Sequence, residues 1–478
     1  MSDKYFPTIG IECHVQLKTK TKLFSAVSND ARKAEPNTLI SHICLGMPGA
    51  LPVLNEKAIE LASRAAFALG TKPQTFSKFD RKHYFYPDLP KGYQISQYEE
   101  PIVLGGYVEI KIDGKTKKIN LTRAHLEEDA GKSTHPTGAD FSLVDLNRAG
   151  TPLLEIVSEP EIHSAAEAKA YAHELYLLMK YAGVSDVVLY HGNMRFDVNV
   201  SLSSEPGRLG TRTETKNLNS FRSVEKAVEY EIKRQTELLE KGEKIIQETR
   251  GWDDAKQKTF SQRSKEEAHD YRYFPDPDLP PIVLSEDFVS SLEKTMPALP
   301  EEYRKKLASL GIDEKVIEDI INNPEVAQMV TRVLAAAGAE HAKRVAFWFV
   351  QESNEEGDAQ TNDDTNVVDD NRLIELSKMV SAGALSSTAA KEVLKKMKHN
   401  SQDPQVLAKE MNLVQESDET ELGVIVEKVL GENQKAAEDV KNGEMKAIGF
   451  LVGQVMKASG GKANPGIVQK IIKEKLGI

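Results

Sequence analysis

The sequence predicts an α+β protein in which a strand-rich N-terminal region precedes an all-α C-terminal region. Residues 8–17 and 194–202 alternate between polar and apolar side chains, as expected of strands with two different faces. Residues 103–126 are typical of a β-hairpin that turns at an Asp-Gly pair, which indicates antiparallel pairing. From about Thr295 onwards the apolar residues follow the helical period and the strand patterns fade.

Length, composition and charge limit the class of protein. With 478 residues, 40% of them apolar and 28% charged, the chain is expected to be globular and to form two or three domains. No signal-peptide pattern is present and no window reaches the ~18 apolar residues of a membrane span, so we expect a cytoplasmic protein. The net charge of -11 argues against nonspecific coating of nucleic acid, but it allows RNA binding through local basic patches. Cys13 and Cys44 are the only cysteines, which excludes a disulfide framework and a four-cysteine zinc site.

The first predicted strand has a polar face. Over residues 8–17, Glu12, His14 and Gln16 share one side of the strand and apolar residues share the other. Glu and His two positions apart can both reach one cation, although such a pair is more often structural. The helix that follows, from an Asn55 N-cap to about residue 70, keeps the helical apolar period and belongs to the scaffold.

The return strand of the hairpin ends in an acidic segment. Three acids, Glu127, Glu128 and Asp129, closely follow His125, and neighbouring carboxylates repel one another unless water or a cation neutralises them. A divalent metal ion would do so, and a solvated strand end is the alternative. Residues 130–133 imitate the end of a phosphate-binding P-loop, but the first glycine of that motif is missing and acids fill the loop, so we reject a P-loop.

Two later strands interleave acids, amides and bases on one face. The polar positions are Arg195, Asp197, Asn199 and Ser201 in residues 194–202, and Arg212, Glu214 and Lys216 in residues 211–217. Such a face is a poor core surface and predicts a polar basin. A capping box at Ser164 and Glu167 opens a helix before these strands, and a long amphipathic helix at 220–242 follows them.

Loops and the C-terminal region add aromatic and charged groups. Segments 81–92 and 262–281 combine aromatic, cationic and proline residues, which can stack on bases and clamp phosphates or can equally pack into the core. Residues 352–366 are acidic and predict a flexible insertion. Residues 391–399 form a basic patch, and three further lysines flank a glycine-rich turn between two helices near the C-terminus.

Carboxylates and one imidazole from separate elements predict a centre for Mg²⁺ or Mn²⁺, ions that bridge nucleotide phosphates. The candidate metal ligands are Glu12, His14, Glu127, Glu155, Asp197 and Glu214. The candidate catalytic residues are Glu12, His14, Glu127, Glu128, Asp197 and Glu214. The candidates for holding the nucleotide phosphates are Lys132, Arg148, Arg195, Asn199, Lys216, Arg263 and Lys265. With no credible Ser-His-Asp or Cys-His pattern, the residues themselves predict a metal-assisted phosphoryl-transfer or hydrolytic enzyme.

At these same residues the sequence closely resembles a known family, the B subunits of the tRNA-dependent amidotransferases that make Gln-tRNA(Gln) or Asn-tRNA(Asn). The likeness covers essentially the whole chain. The matching segments are residues 11–17 (IECHVQL), 126–133 (LEEDAGKS), 145–156 (DLNRAGTPLLEI), 215–221 (TKNLNSF), 270–275 (DYRYFP) and 449–459 (GFLVGQVMKAS).

The resemblance implies a mostly antiparallel, cradle-shaped catalytic domain at 1–294, a helical domain at 295–405 and a tRNA-binding tail domain at 406–478. It implies that ATP, with Mg²⁺ or Mn²⁺, phosphorylates the side-chain carboxylate of misacylated Glu-tRNA(Gln) or Asp-tRNA(Asn). Ammonia from a partner amidase (A) subunit would then displace the phosphate, and a small C subunit would brace the pair. In the tail, Lys446, Lys457 and Lys462 would contact the tRNA.

Two departures and two rival hypotheses accompany the resemblance. Ser25, Val27 and Ser41 stand where many family members have cysteines, which leaves Cys44 alone, so no zinc is expected; the acidic segment at 352–366 is also divergent. A noncatalytic RNA-binding scaffold would show no ATP turnover in any assembly, whereas a stand-alone metal-dependent hydrolase would be active without partners. The sequence leaves open whether Glu-tRNA, Asp-tRNA or both are substrates.

Overall fold

The structure is a computed structural model that describes residues 4–264, 270–356, 368–414, 419–444, 446–459 and 463–478. The chain divides into two units, Met1–Pro300 and Glu301–Ile478. In the described ranges all strands belong to the first unit, and the second unit consists of helices joined by turns. This confirms the predicted α+β class with an all-α C-terminal region.

The strands are β1 (Phe6–Gln16), β2 (Phe76–Ser77), β3 (Asp80–His83), β4 (Tyr93–Ser96), β5 (Val103–Leu104), β6 (Tyr107–Ile112), β7 (Lys115–Glu128), β8 (Lys132–Thr134), β9 (Leu143–Asp145), β10 (Pro152–Ser158), β11 (Met194–Ser203), β12 (Thr213–Leu218), β13 (Glu248–Asp253), β14 (Lys258–Ser264), β15 (Phe274–Pro275) and β16 (Ile282–Val283). The helices are α1 (Glu56–Ala68), α2 (Ala165–Tyr181), α3 (Phe221–Glu240), α4 (Glu286–Lys294), α5 (Pro300–Ala308), α6 (Glu314–Ile321), α7 (Pro324–Ala337), α8 (Ala339–Glu356), α9 (Asp370–Ser381), α10 (Ser387–Met397), α11 (Pro404–Glu410), α12 (Glu419–Glu432), α13 (Gln434–Lys441), α14 (Lys446–Ala458) and α15 (Pro465–Leu476).

Within the described part of the first unit, the main sheet has nine strands. Its order is β14-β13-β12-β11-β1-β10-β7-β5, and β6 pairs with β7 outside this path. Neighbouring strands are antiparallel except β12 and β13, which are parallel, so the mostly antiparallel sheet is confirmed. The predicted hairpin is formed by β6 and β7. Its turn residues Asp113 and Gly114 both have positive φ, 50° and 71°, as a tight hairpin turn of this twist requires.

One face of this sheet is apolar and packs against helices. In β1, Ile11, Cys13 and Val15 are buried, which confirms the predicted alternation. Helix α3 packs on β11 with its buried stripe, which includes Val224 and Val228, and α2 packs beside α3. Helix α2 begins at the predicted N-cap Ser164, and α3 begins after Ser220, whose side chain accepts a hydrogen bond from the Ser223 N–H. The polar residues of the same strands lie on the opposite face, which can therefore form a functional site.

The two aromatic loops meet in a small second sheet. Residues 81–83, which were expected to be loop, form part of β3, and β3 pairs with both β4 and β15. The ring of His83 stacks on Phe274, with the ring centroids 5.0 Å apart. The strand was missed because its residues do not alternate between polar and apolar side chains, and because one of its two partners, β15, lies far along the chain.

The second unit ends in four helices, α12 to α15, which share a hydrophobic core that includes Val426, Leu451 and Val468. The two units meet between Pro300 and Glu301, and the predicted domain divisions at 294/295 and 405/406 stay predictions. Residues 352–356 end α8, and the rest of the predicted acidic insertion falls largely outside the described residues. Among the helices that the structure describes, none combines the length and the apolar composition needed to cross a membrane.

Candidate active site

The pairing register of the main sheet aligns polar side chains from five adjacent strands. Glu12 of β1 lies opposite Asp197 of β11, and His14 lies opposite Glu155 of β10. Glu155 in turn lies opposite His125 of β7. Directly opposed residues of antiparallel strands project from the same face. We call the resulting line of side chains the polar row: Glu214, Asp197, Glu12, His14, Glu155, His125 and Glu127.

One end of the polar row is a histidine cluster made by His14, His125, Glu127 and Glu155. The Nε2 atom of His14 lies 3.6 Å from Glu127 Oε1 and 3.7 Å from Glu155 Oε2. The Nε2 atom of His125 lies 3.2 Å from Glu155 Oε2 and 3.7 Å from Glu127 Oε2. His125 and Glu127 are almost fully buried. Two imidazoles and two carboxylates therefore converge at one point.

The charges in the histidine cluster favour ionised carboxylates. Burial alone would lower the pKa of His125, but Glu155 and Glu127 beside it raise that pKa to about 9. Burial raises the pKa of Glu155 and Glu127, but His125, Lys82 and His14 outweigh it, so both carboxyl pKa values lie below their usual range. Glu127 Oε2 nevertheless has no hydrogen-bond partner among the described residues. A buried carboxylate oxygen without a partner is costly and is available to a cation.

The other end of the polar row is a lysine cluster made by Glu12, Asp197, Glu214 and Lys216. The Lys216 Nζ atom lies 2.9 Å from Asp197 Oδ2 and 2.9 Å from Glu214 Oε1. Burial lowers the pKa of Lys216, but these two carboxylates more than compensate and raise it. Burial, together with Glu155 and Glu214, raises the pKa of Glu12, to which Asn199 donates a hydrogen bond of 3.1 Å.

Both clusters contain ligand sets of the kind that Mg²⁺ or Mn²⁺ uses. In His14, Glu127 and Glu155, one ligand atom of each residue lies within 4.8 Å of the others, and the same holds for Glu12, Asp197 and Glu214. Oxygen ligands with at most one imidazole suit these ions. The histidine cluster fits better, because it has a buried carboxylate oxygen without a partner. In the lysine cluster the Lys216 ammonium group contacts two of the three carboxylates directly, at 2.9 Å each.

Cationic side chains surround the polar row. The Arg195 guanidinium lies 3.2 Å from Asp129, and Arg148 lies 3.4 Å from the same carboxylate. Lys82 of β3 faces the histidine cluster, with its Nζ atom 5.0 Å from the centre of the Tyr271 ring. Burial lowers the pKa of Lys82, but Glu127 and other acidic neighbours raise it overall, so this lysine is charged. These cations are placed to hold an anionic substrate next to the carboxylates.

Some predicted site residues are not brought to the polar row. Glu128 follows Glu127 directly in β7 and therefore points to the opposite face, where it pairs with Lys91 and accepts a 3.0 Å hydrogen bond from the Ile95 N–H. The grouping of Glu127 and Glu128 at one centre is thus corrected. Lys132 is exposed on β8, in a separate two-stranded sheet.

Other predicted residues cannot be placed at the site. The backbone of Arg263 pairs with Thr249 in the main sheet, but its side chain and all of Lys265 lie outside the described residues. In the second unit, Lys446 and Lys457 are exposed on α14, and Lys462 lies outside the described residues.

Sequence reasoning missed three groups that belong to the site. His125 was noted in the acidic segment but not chosen, although its spacing of two from Glu127 in a strand places both on one face. Lys82 stands in the aromatic loop that was singled out for phosphate contacts. Asp129 was noted in the same acidic segment but not chosen, whereas it joins two arginines.

The fold and the site define a two-part protein, an α+β unit with a candidate metal centre on its sheet and a helical C-terminal unit. Residues 7–290 match the family model described as the GatB/GatE catalytic domain, and residues 328–476 match the one described as the GatB domain. The chain belongs to the GatB/GatE family, as its sequence motifs predicted.

Curated relatives agree over the full length. The chain is 44% identical to a protein of Carboxydothermus hydrogenoformans, 45% to one of Persephonella marina and 46% to one of Thermoanaerobacter pseudethanolicus. Each comparison covers 99% of this chain and at least 99% of the relative. All three relatives carry the name of the B subunit of aspartyl/glutamyl-tRNA(Asn/Gln) amidotransferase.

Proposed function

We propose that this chain is the B subunit of a cytoplasmic tRNA-dependent amidotransferase. In this proposal its first unit uses ATP to phosphorylate the side-chain carboxylate of misacylated Glu-tRNA(Gln), Asp-tRNA(Asn) or both. Ammonia released from glutamine by an amidase (A) subunit then displaces the phosphate, and a small C subunit completes the heterotrimer. The observation that carries the proposal is the polar row, which gathers carboxylates from five strands beside charged Lys82 and Arg195. The names of the full-length relatives support the same assignment.

The residues of the polar row would have separate roles in metal binding. His14, Glu127 and Glu155 would hold Mg²⁺ or Mn²⁺, with Glu12, Asp197 and Glu214 as a second ligand group. The ion would neutralise charge on the phosphate oxygens of ATP. His125 orients the carboxylates of Glu127 and Glu155 by its contacts with both.

The cations would bind and align the reactants. Lys82 and Arg195 lie next to the carboxylates and would position the phosphate groups and the substrate carboxylate for in-line attack. Lys216 would hold Asp197 and Glu214 in place. The tail lysines Lys446 and Lys457, with Lys462, would bind tRNA phosphates. No glutaminase nucleophile is needed in this chain, because the amidase subunit supplies the ammonia.

The test is a reconstitution with the A and C subunits. ATP hydrolysis and amide formation are measured with Glu-tRNA(Gln), with Asp-tRNA(Asn) and with the correctly acylated tRNAs as controls. We expect ATP turnover only with a misacylated tRNA, and amide formation from glutamine only when the A subunit is present. Binding of tRNA without ATP turnover in any assembly would indicate a scaffold. Hydrolytic activity of the single chain without tRNA would indicate a different enzyme.

A further inference from the structure

A buried lysine and a buried cysteine lie side by side in the segment between β1 and α1. Lys22 is 1% exposed and Cys44 is 6% exposed. The Lys22 Nζ atom lies 3.5 Å from Cys44 Sγ and donates a hydrogen bond of 2.7 Å to the Leu39 carbonyl oxygen. Neither side chain has a role in the proposed reaction. A buried amine next to a buried thiol therefore calls for its own explanation.

The surroundings of this pair favour a reactive thiolate. The Ser41 hydroxyl donates to Cys44 Sγ at 3.3 Å, and the Ser25 hydroxyl lies 3.6 Å from the same sulfur. Burial raises the pKa of Cys44, but Ser41, the Lys22 ammonium and Ser25 outweigh it and bring the pKa below its ordinary value. Burial lowers the pKa of Lys22 below its usual range, so its ammonium group gives up a proton more readily when a bond to the nitrogen forms. The thiolate is the form of cysteine that peroxide oxidises.

We propose that Lys22 and Cys44 are a modification site at which hydrogen peroxide forms a covalent N–O–S bridge between the two side chains. In the overall reaction one amine, one thiol and two peroxide molecules give the bridge and three water molecules. The S–O and N–O bonds form, while the thiol S–H bond, one amine N–H bond and both peroxide O–O bonds break. Sulfur and nitrogen together lose four electrons, and each peroxide gains two.

The position of the pair means that the bridge would restrain the segment between Lys22 and Cys44. It would close residues 22–44 into a covalent ring, and this segment is held to the rest of the unit by Asn147, whose side-chain oxygen accepts a 2.8 Å hydrogen bond from the Leu39 N–H. Hydrogen peroxide is small and uncharged, as a reagent for a buried thiol has to be. The inference does not depend on the proposed function.

The test uses the full chain, treated with hydrogen peroxide and digested with trypsin without reductant. We expect a linked peptide containing Lys22 and Cys44, heavier than the sum of its parts by one oxygen minus two hydrogens, and its loss on treatment with dithiothreitol. Lys22→Arg keeps the positive charge but should abolish the link. The wild-type chain unfolded in guanidinium should also give no link, because the pair is then separated.

Two outcomes would overturn the inference. The first is Cys44 found as sulfinic or sulfonic acid with Lys22 unmodified. The second is unmodified Cys44 in samples in which Met47, which is 53% exposed on the same segment, has become the sulfoxide. The peroxide concentration is raised until Met47 is oxidised, so every sample either supports or contradicts the proposal.

Discussion

His14 and Glu155 face each other across the antiparallel pair β1 and β10, with His14 Nε2 3.7 Å from Glu155 Oε2. This cross-strand pair joins residues that are far apart in sequence. Glu127 reaches the same imidazole from the next strand, β7. The histidine cluster is therefore assembled by strand pairing and not by a local motif, and each of its ligands can be changed separately.

The first prediction compares two neighbouring glutamates. Glu127→Gln should weaken Mn²⁺ binding at least about tenfold, or ~1.4 kcal/mol, because it removes a charged ligand. Glu128→Gln is the matched control, since its side chain lies on the opposite face and pairs with Lys91. Mn²⁺ affinity is measured by electron paramagnetic resonance on both variants, with a thermal melt of each. Equal loss of Mn²⁺ in both variants would contradict the assignment of faces.

The second prediction concerns the lysine cluster. Asp197→Asn and Glu214→Gln each remove one negative charge with little change in size, so the fold should survive. ATP turnover that depends on misacylated tRNA should fall about a thousandfold, as expected from losing ~4 kcal/mol of transition-state stabilisation. Asp186→Asn, which breaks an exposed contact with Lys18, is the control. Normal tRNA binding with near-normal turnover in both variants would move the catalytic site elsewhere.

The third prediction concerns the second unit. Lys446 and Lys457 are exposed on α14, so replacing both with Ala should weaken tRNA binding and reduce its dependence on salt, by roughly one unit of slope for each phosphate that is no longer bound. Removing residues 406–478 should weaken binding further. Lys244→Ala, at an exposed position in the first unit, serves as the control. An unchanged affinity and salt slope in the double variant would leave α14 with a packing role only.

The fourth prediction concerns pH and stability. Glu231 of α3 is fully buried and accepts hydrogen bonds of 2.7 Å from Arg234 and from Thr213. Burial raises its pKa, but Arg234 and its other partners lower it overall. A carboxyl group with a lowered folded-state pKa stabilises the fold above its unfolded pKa of about 4.3, and this stability is lost as the pH falls through the folded pKa.

Glu231→Gln should therefore lower the free energy of unfolding by about 3 kcal/mol at pH 7, since it removes the buried carboxylate that both Arg234 and Arg250 contact. The difference from the wild type should shrink as the pH falls below about 4. Urea unfolding curves at several pH values measure both quantities. A difference that stays constant down to acid pH would mean that packing, and not the charge, is responsible.

The alternation of polar and apolar residues within single strands predicted which residues share a polar face. It did not predict which strands lie next to each other. The period of two in β1 and β11 was enough to put Glu12 with His14, and Asp197 with Asn199, on polar faces. Which strands neighbour each other depends on pairing between distant segments, so the sequence alone could not place Glu155 against His14. The same limit explains β3 in part, because one of its two partners, β15, lies far along the chain. Adjacent acids such as Glu127 and Glu128 were grouped by composition, although alternation in a strand separates them.

The pairing register of β1 decides which of its residues point to the polar face of the sheet. A single residue inserted near the start of this strand would keep its hydrogen-bonding ladder possible but would exchange its two faces. Glu12 and His14 would then turn towards the buried apolar face, while Ile11, Cys13 and Val15 would stand among the carboxylates. A two-residue insertion would return Glu12 and His14 to the polar face. The site thus depends on the spacing of residues along β1 as well as on residue type. Insertions or deletions in this strand should be tolerated only when they involve an even number of residues.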